Sequence, residues 1–240
     1  MKLVDEFWAF IPARSGSRGL KNKNITKLAG LPLIAYSIMT AAKIKRIKKI
    51  VISSDSKKYL KLGKKYGCNE FHLRSKKNSG DTSSELSVFK EFIDKKIRER
   101  KILPKYFVHL RPTTPVRNVE TVKKGIKFFQ SKKNNCTSMR SVSHMSEPAY
   151  RYFRIINKKL CAINKKDFLV DNYCKPRAFY TQTFKCNCIV DIYKTNTILK
   201  NQLFGNKVLS FPIKDFINDI DDNNDLKYTE YFIKENRFKI

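Results

Sequence analysis

The 240-residue chain has no run approaching 18 apolar residues, so no membrane-spanning helix is expected. Its N-terminus, MKLVDEFWAFIPAR, lacks a long apolar stretch and a small-residue cleavage site, which argues against an export signal. Glycine and proline are scarce at 8 each, while 41% of residues are hydrophobic. Collagen-like and disordered classes are thereby excluded, and the length suits one α/β domain with a small appendage. The six cysteines, at 68, 136, 161, 174, 186 and 188, form no CxxC pair, and none of the three histidines stands at zinc-finger spacing. Without an export signal the cysteines read as reduced thiols in a cytoplasm. Acidic side chains are also few: 21 Asp+Glu against 51 Lys+Arg leaves a formal charge of +30.

Lysine is abundant, supplying 38 of the 51 basic residues. The excess is +18 over residues 1–120 and +12 over residues 121–240, so it is spread along the chain. A basic nucleic-acid-binding protein is the alternative this charge raises, but no recognition helix, RNP signature or aromatic-plus-basic cluster accompanies it. Lysine-rich solvated faces are the simpler reading, and their field favours anionic small molecules such as nucleotides.

Short β-rich runs alternate with helical patterns, which predicts a Rossmann-like, mainly parallel sheet with helices on both faces. Strands are expected at residues 7–11, 49–53, 106–110, 136–142, 187–193 and 208–211. Helices are expected at 32–44, 56–66, 86–97, 119–130 and 226–235. Gly67 suits a helix stop, Asn118 a helix cap, and Thr82 with Glu85 a capping box. Between residues 143 and 180 the pattern breaks up around Pro148 and Pro176, and the stretch reads as an arm inserted in a single domain spanning 1–240.

The loop IPARSGSRGLKNKN, residues 11–24, follows the first strand. The carboxyl end of a parallel strand is where α/β proteins bind ligands. Gly16 and Gly19 let backbone N–H groups face phosphate oxygens, Arg14 and Arg18 can grip them bidentately, and Lys23 adds a point charge. The loop is neither a GxxxxGK[ST] nor a GxGxxG element. On composition alone, a phosphate cradle and an ordinary basic surface loop both stand.

This loop resembles IPAR-x-x-S-[KR]-G-x-x-x-KN, the opening of the cytidylyltransferases that activate sialic acids and related nine-carbon sugars as CMP-sugars. The matching residues are Ile11, Pro12, Ala13, Arg14, Ser17, Arg18, Gly19, Lys23 and Asn24. Further motifs follow in the family's order. LAGLPLI at 28–34 resembles LxGKPLI, and VISSD at 51–55 resembles VVSTD. Leu73-Arg74 with DTSS at 81–84 resembles LRP…DTASS, and LRPTTPVR at 110–117 resembles LQPTSPLR. KCNCIV at 185–190 stands where the family has RxNGAIY, and DID at 219–221 with DL at 225–226 resembles DIDTxxDL. Related uridylyl and guanylyl enzymes open with LAAGxGxR, so the resemblance favours CTP.

The resemblance implies a nucleotide-diphospho-sugar transferase-like fold and a reaction between CTP and an acidic nine-carbon sugar. The sugar's anomeric hydroxyl would attack the α-phosphorus, releasing pyrophosphate. Another acid sugar such as Kdo, or another nucleotide, is the alternative within this class. Arg14, Ser17, Arg18 and Lys23 would hold the triphosphate, while Asn24, Arg74 and Ser84 would line the cytidine site. Helix capping is the competing role for Ser84, and a surface ion pair for Arg74. Asp219 and Asp221 would ligate Mg²⁺ and, with Arg14 and Lys23, form the catalytic group. In an extended segment, residues two apart face the same side, which suits a hard cation sharing phosphate oxygens. Two other readings compete for these acids. One is charging the start of the last helix, which fits Asp222 and Asp225 better. The other is an EF-hand loop, but Asn224 occupies its glycine position and strand and loop precede it.

Arg111 and Asn187 are implied at the sugar site, with Arg177 and Lys185 as weaker candidates. Arg111 replaces the family's Gln and Cys188 its Gly, and both departures bear on which acid sugar is used. The arm carries Tyr150, Tyr152, Phe153, Phe168, Tyr173, Phe179 and Tyr180, and resembles the segment through which the family forms homodimers. All of this requires Arg14 and Lys23 to meet the aspartates on one side of the sheet.

Overall fold

The computed structural model describes residues 1–17, 19–163, 169–236 and 238. Its strands, in chain order, are β1 Leu3–Pro12, β2 Lys27–Leu28, β3 Leu31–Pro32, β4 Ile47–Ser54, β5 Glu70–Leu73, β6 Leu103–His109, β7 Ser138–His144, β8 Phe153–Ile156, β9 Lys159–Ala162, β10 Phe184–Lys194 and β11 Val208–Pro212. The helices are α1 Leu33–Ala42, α2 Lys57–Tyr66, α3 Glu85–Arg98, α4 Val119–Lys132, α5 Thr195–Leu199 and α6 Asn223–Glu235. Seven strands form one sheet in the order β11-β7-β10-β6-β1-β4-β5. Neighbours pair in parallel except around β10, which runs antiparallel to both β6 and β7.

The apolar run of β1 explains its central place. With side chains alternating across the strand, Phe7, Ala9 and Ile11 enter one core with residues of α1, α2 and α4, while Trp8 and Phe10 enter another with α3 and α5. A strand apolar on both faces is stable only between two helical layers. The expected fold class therefore stands. A third, smaller core joins Leu28, Leu33 and Tyr36 to Ile220 and Ile233, seating α6 and the segment before it against the start of α1.

Gly67 ends α2 at φ 114°, and the Asn118 side chain caps α4 by accepting from Glu120 N, both as expected. The Thr82–Glu85 box does not form. The helix opens at Glu85, and Ser84 caps it by accepting from Ser87 N at 3.1 Å. The capping box instead opens α6, between Asp222 and Asp225. This disposes of the EF-hand: β11 and a loop precede the acidic segment, and an ordinary capped helix follows it. Strand β5 and helix α5, of 4 and 5 residues, escaped the sequence reading because periodicity needs longer windows.

The arm contains the β8–β9 hairpin and three short 3₁₀ turns. Tyr150 stacks on Tyr180, Phe153 meets Tyr173 edge-on, and Phe179 is 74% exposed; Phe168 lies outside the described residues. Among the described residues no helix is long and apolar enough to cross a membrane.

Candidate active site

The chain runs β1, β4, β5 in one direction across the sheet, then returns past β1 to β6. That reversal opens a crevice at the carboxyl ends of β1 and β6, where ligands of open α/β sheets bind. A cleft of about 510 Å³ lies there. The loop leaving β1 forms one wall and is pinned at several points. Ala13 N donates to Ser53 O at 2.8 Å. Asp55, at the end of β4, accepts from Ser15 N at 2.8 Å and Ser15 Oγ at 2.7 Å. Burial opposes that carboxylate's charge, yet the Ser15 bonds outweigh it and hold the carboxyl below its ordinary value. Asn24, buried, donates to Arg14 O at 2.8 Å, so its amide also fastens the loop.

The opposite wall is the extended segment before α6. Ile220, fully buried, donates its N–H to Thr113 O at 2.8 Å, which presents Asp221 to the cleft. Lys23 Nζ lies 2.8 Å from Asp221 Oδ1. At Gly19 the two walls touch backbone to backbone: an added Cβ would lie 2.5 Å from Asp221 O. Arg14, Ser17, Lys23, Asn24, Arg74 and Asp221 thus share one cleft. Arg14 is paired with Asp81. Arg18 lies outside the described residues. Asp219 is exposed and away from the cleft lining, its charge acting on Arg117 and Cys188.

Arg74 is no surface ion pair. Only 9% exposed, it donates from Nε to Ser53 Oγ at 2.9 Å and from Nη2 to Ser53 O at 3.0 Å. Burial pulls its pKa down to about 10. Ser53 Oγ also meets His72 Nδ1 at 2.9 Å. Arginine only donates, so Ser53 Oγ accepts from Arg74 and its own hydrogen is free to reach Nδ1 of a neutral ring protonated on Nε2. Burial lowers the His72 pKa to about 4, so the ring is neutral. Ser84 is exposed and caps α3 with one lone pair of its hydroxyl, and its neighbour Ser83 lines the cleft, donating to Lys77 O at 3.0 Å.

At the β6 end, Arg111 reaches the cleft already engaged. Its Nε donates to Glu85 Oε1 at 2.8 Å, Nη2 to Glu85 Oε2 at 2.9 Å, and Nη1 to Asp191 Oδ2 at 3.1 Å. Burial opposes its charge, but the Glu85 carboxylate foremost holds its pKa above the ordinary arginine value. Asp191 is fully buried and also accepts from Tyr193 OH at 3.3 Å. His109 lies beneath, its Nδ1 3.1 Å from Tyr193 OH, and burial drives its pKa far below the ordinary value.

Asn187 does not line the cleft. It is buried in a register irregularity between β10 and β7, accepting from Ser141 Oγ and Ile189 N and donating to Ser143 Oγ at 2.9 Å. Cys188, next to it, has φ 59°, a conformation that favours glycine and so accounts for the residue the family pattern places there. Arg117 clasps the same bulge, donating to Ile189 O at 2.7 Å and Cys188 O at 3.2 Å, and ties it to α1 through Ser37 Oγ at 2.8 Å. Burial lowers its pKa to about 9. Arg177 sits in the arm against His144, and Lys185 is exposed on β10.

Sequence reasoning missed Glu85, Asp55 and His109 as parts of this site. Only Asp55 carried a signal, the acidic end of the VISSD strand motif. Among the described residues, no group of three or more His, Cys, Asp or Glu could hold a metal ion by itself. The donors fit a hard cation that takes one or two carboxylates and completes its shell with phosphate oxygens and water, as Mg²⁺ does.

Residues 8–154 match the family described as Cytidylyltransferase. The chain is 28% identical over 234 residues to the post-translational flagellin modification protein B of Campylobacter coli, covering 97% of each chain. It is 29% identical over 230 residues to the CMP-N,N'-diacetyllegionaminic acid synthase of Campylobacter jejuni subsp. jejuni serotype O:2, covering 95% of each. Among solved structures, a CMP:2-keto-3-deoxy-manno-octonic acid synthetase complexed with CTP aligns with a TM-score of 0.68 over 96% of this chain and 99% of that one. At 13% identity the latter likeness establishes the fold alone.

Proposed function

Because the chain belongs to the cytidylyltransferase family, we propose that it transfers CMP from CTP to a nonulosonic acid, a sialic-acid-like sugar, and releases pyrophosphate. The observation that carries this reading is the meeting of Lys23 with Asp221 at 2.8 Å across a cleft whose other end holds the fixed guanidinium of Arg74. The relative named for a legionaminic acid supports the sugar class.

The chemistry rests on positioning and charge neutralisation. The phosphates lie over the β1 loop, where Arg14 exchanges its Asp81 partner for phosphate oxygens and Lys23 turns from Asp221 to the same anion. The cytosine lies toward Arg74, whose buried donors reject a base that leaves them unpaired. The sugar approaches from the β6 side with its anomeric hydroxyl toward the α-phosphorus. Asp221 would hold Mg²⁺, and Asp219, outside the cleft lining, would have to turn in to join it; when bound the ion polarises the phosphate and neutralises its charge. The exposed aromatics of the arm, Tyr152 and Phe179 among them, are offered to a second subunit, giving a homodimer working in the cytoplasm.

Incubation with CTP, Mg²⁺ and a panel of nonulosonic acids tests the reaction, with mass detection of each CMP-sugar. Kdo, UTP and GTP serve as competing substrates. Formation of a CMP-nonulosonate is the expected result; turnover confined to Kdo, or to UTP or GTP, overturns it. A monomer by light scattering at micromolar concentration would remove the dimer.

A further inference from the structure

Building on the reaction just described, we propose that Glu85 selects the second substrate by accepting a hydrogen bond from an N–H or O–H group of the sugar. Arg111 is then the positioning residue that aims Glu85, and not the partner of the sugar's carboxylate.

Three observations converge on this. The first is engagement. Three of Arg111's five N–H groups are taken by two carboxylates, and the fork formed by Nε and Nη2 is closed on Glu85. A substrate carboxylate would have to displace Glu85 from that fork, leaving Glu85 unpaired in the cleft beside another anion.

The second is the acceptor capacity left over. Each Glu85 oxygen accepts one N–H from Arg111 and keeps a further lone-pair direction, and the side chain remains 39% exposed on the cleft wall. An ionised carboxylate only accepts, so it can face a hydroxyl or an acylamino N–H but neither a phosphate nor a carboxylate. Because Arg111 lies against both carboxylates and Arg140 Nε stands 3.7 Å from Asp191 Oδ2, two cations face two anions, and Glu85 can stand in a cleft for anions with its repulsion reduced. Asp191, fully buried and bonded to Tyr193 OH, anchors Arg111 from behind, so the aim of Glu85 is set by groups that do not move with the ligand.

The third is topology. Arg74 is bound to the end of β4, on one side of β1, and Arg111 follows β6 on the other, with the basic loop between them. A nucleotide whose phosphates lie on that loop and whose base lies toward Arg74 leaves the Arg111 side for the second substrate.

Steady-state kinetics with both substrates varied, on the full-length protein and the variants Glu85→Gln, Arg111→Gln and the double variant, tests the assignment. Glu85→Gln should raise the KM for the sugar at least tenfold while the KM for CTP stays within twofold. Arg111→Gln should do the same, and the double variant should be no worse than the weaker single one, since both act through one contact. The preference between acylamino and hydroxy analogues of the sugar should shrink in Glu85→Gln. An unchanged sugar KM, or a CTP KM raised as far as the sugar KM, overturns the proposal, the latter by assigning Glu85 to the nucleotide. A thermal shift with CTP reports that each variant is folded. Should the wild-type protein form no CMP-sugar, the proposed reaction fails. Calorimetric binding of a 5-acetamido nonulosonic acid to the wild-type and Glu85→Gln proteins would still decide Glu85, equal affinities counting against it.

Discussion

Alanine at position 19 is the sharpest perturbation of the meeting of the two walls. Its Cβ would lie 2.5 Å from the carbonyl oxygen of Asp221 and 3.6 Å from that carbonyl carbon. Carbon–oxygen contacts ordinarily stop near about 3.3 Å, so the loop and the Asp221 segment must separate by roughly 0.8 Å. Both partners are backbone, and no rotamer change relieves the clash. Neither is loose: Asp55 and Asn24 tether the loop, and Ile220 N ties the segment to Thr113 O. A displacement of about 1 Å among groups that hold a reacting phosphate costs on the order of 10²-fold in rate. That is about 2.7 kcal/mol of transition-state stabilisation. Overpacking should also cost about 1–3 kcal/mol of stability. Gly16 supplies the control, because nothing lies within 4 Å of a Cβ there. The assay is pyrophosphate release at varied CTP, with urea unfolding alongside. Gly19→Ala should lose about 10²-fold in kcat/KM, while Gly16→Ala stays near wild type. Equal activity in the two variants would refute the contact between the walls.

Asp221→Asn should abolish CMP-sugar formation while changing the unfolding free energy measured in urea by less than about 0.5 kcal/mol, because the side chain is 77% exposed; near-normal turnover would remove Asp221 from the chemistry. In the two-residue turn joining β2 and β3, Ala29 has φ 44° and Gly30 φ 86°. A left-handed alanine costs about 1 kcal/mol, so Ala29→Asn, creating the Asn-Gly pair such turns favour, should stabilise by about 0.5–1 kcal/mol in urea; a destabilised variant would contradict the turn. His72 is neutral in the fold with its pKa near about 4, against about 6.5 unfolded. The unfolded chain therefore takes up the proton first, and stability is lost as pH falls from about 6.5 through about 4, by up to about 3 kcal/mol. His72→Asn keeps an acceptor for Ser53, and its urea midpoint should fall less than wild type between pH 7 and about 4.5; equal losses would mean the ring is not held neutral.

Much of this protein is written locally in its chain. The β1 run FWAFI is legible from its apolar character alone, whereas the basic loop after it and the Asp221 segment, contiguous as they are, took their roles from the resemblance to a family's motifs, because glycine and charge left the loop's purpose open. The fold class followed because a strand apolar on both faces has few stable settings. What contiguous residues cannot express is which polar groups meet from distant elements and which are spent before a ligand arrives. Arg111 reads as a free cation, and only the approach of α3 and β10 closes it on Glu85 and Asp191. Ser84 reads as a base contact, and the start of α3 adds a capping bond to its hydroxyl and brings Ser83 to the cleft beside it. Asn187 sits within a motif but is consumed by a bulge that exists only where β10 pairs with β7. Hydrogen bonds are short-ranged and saturable, so a side chain's availability is decided by packing, and the sequence records only its capacity.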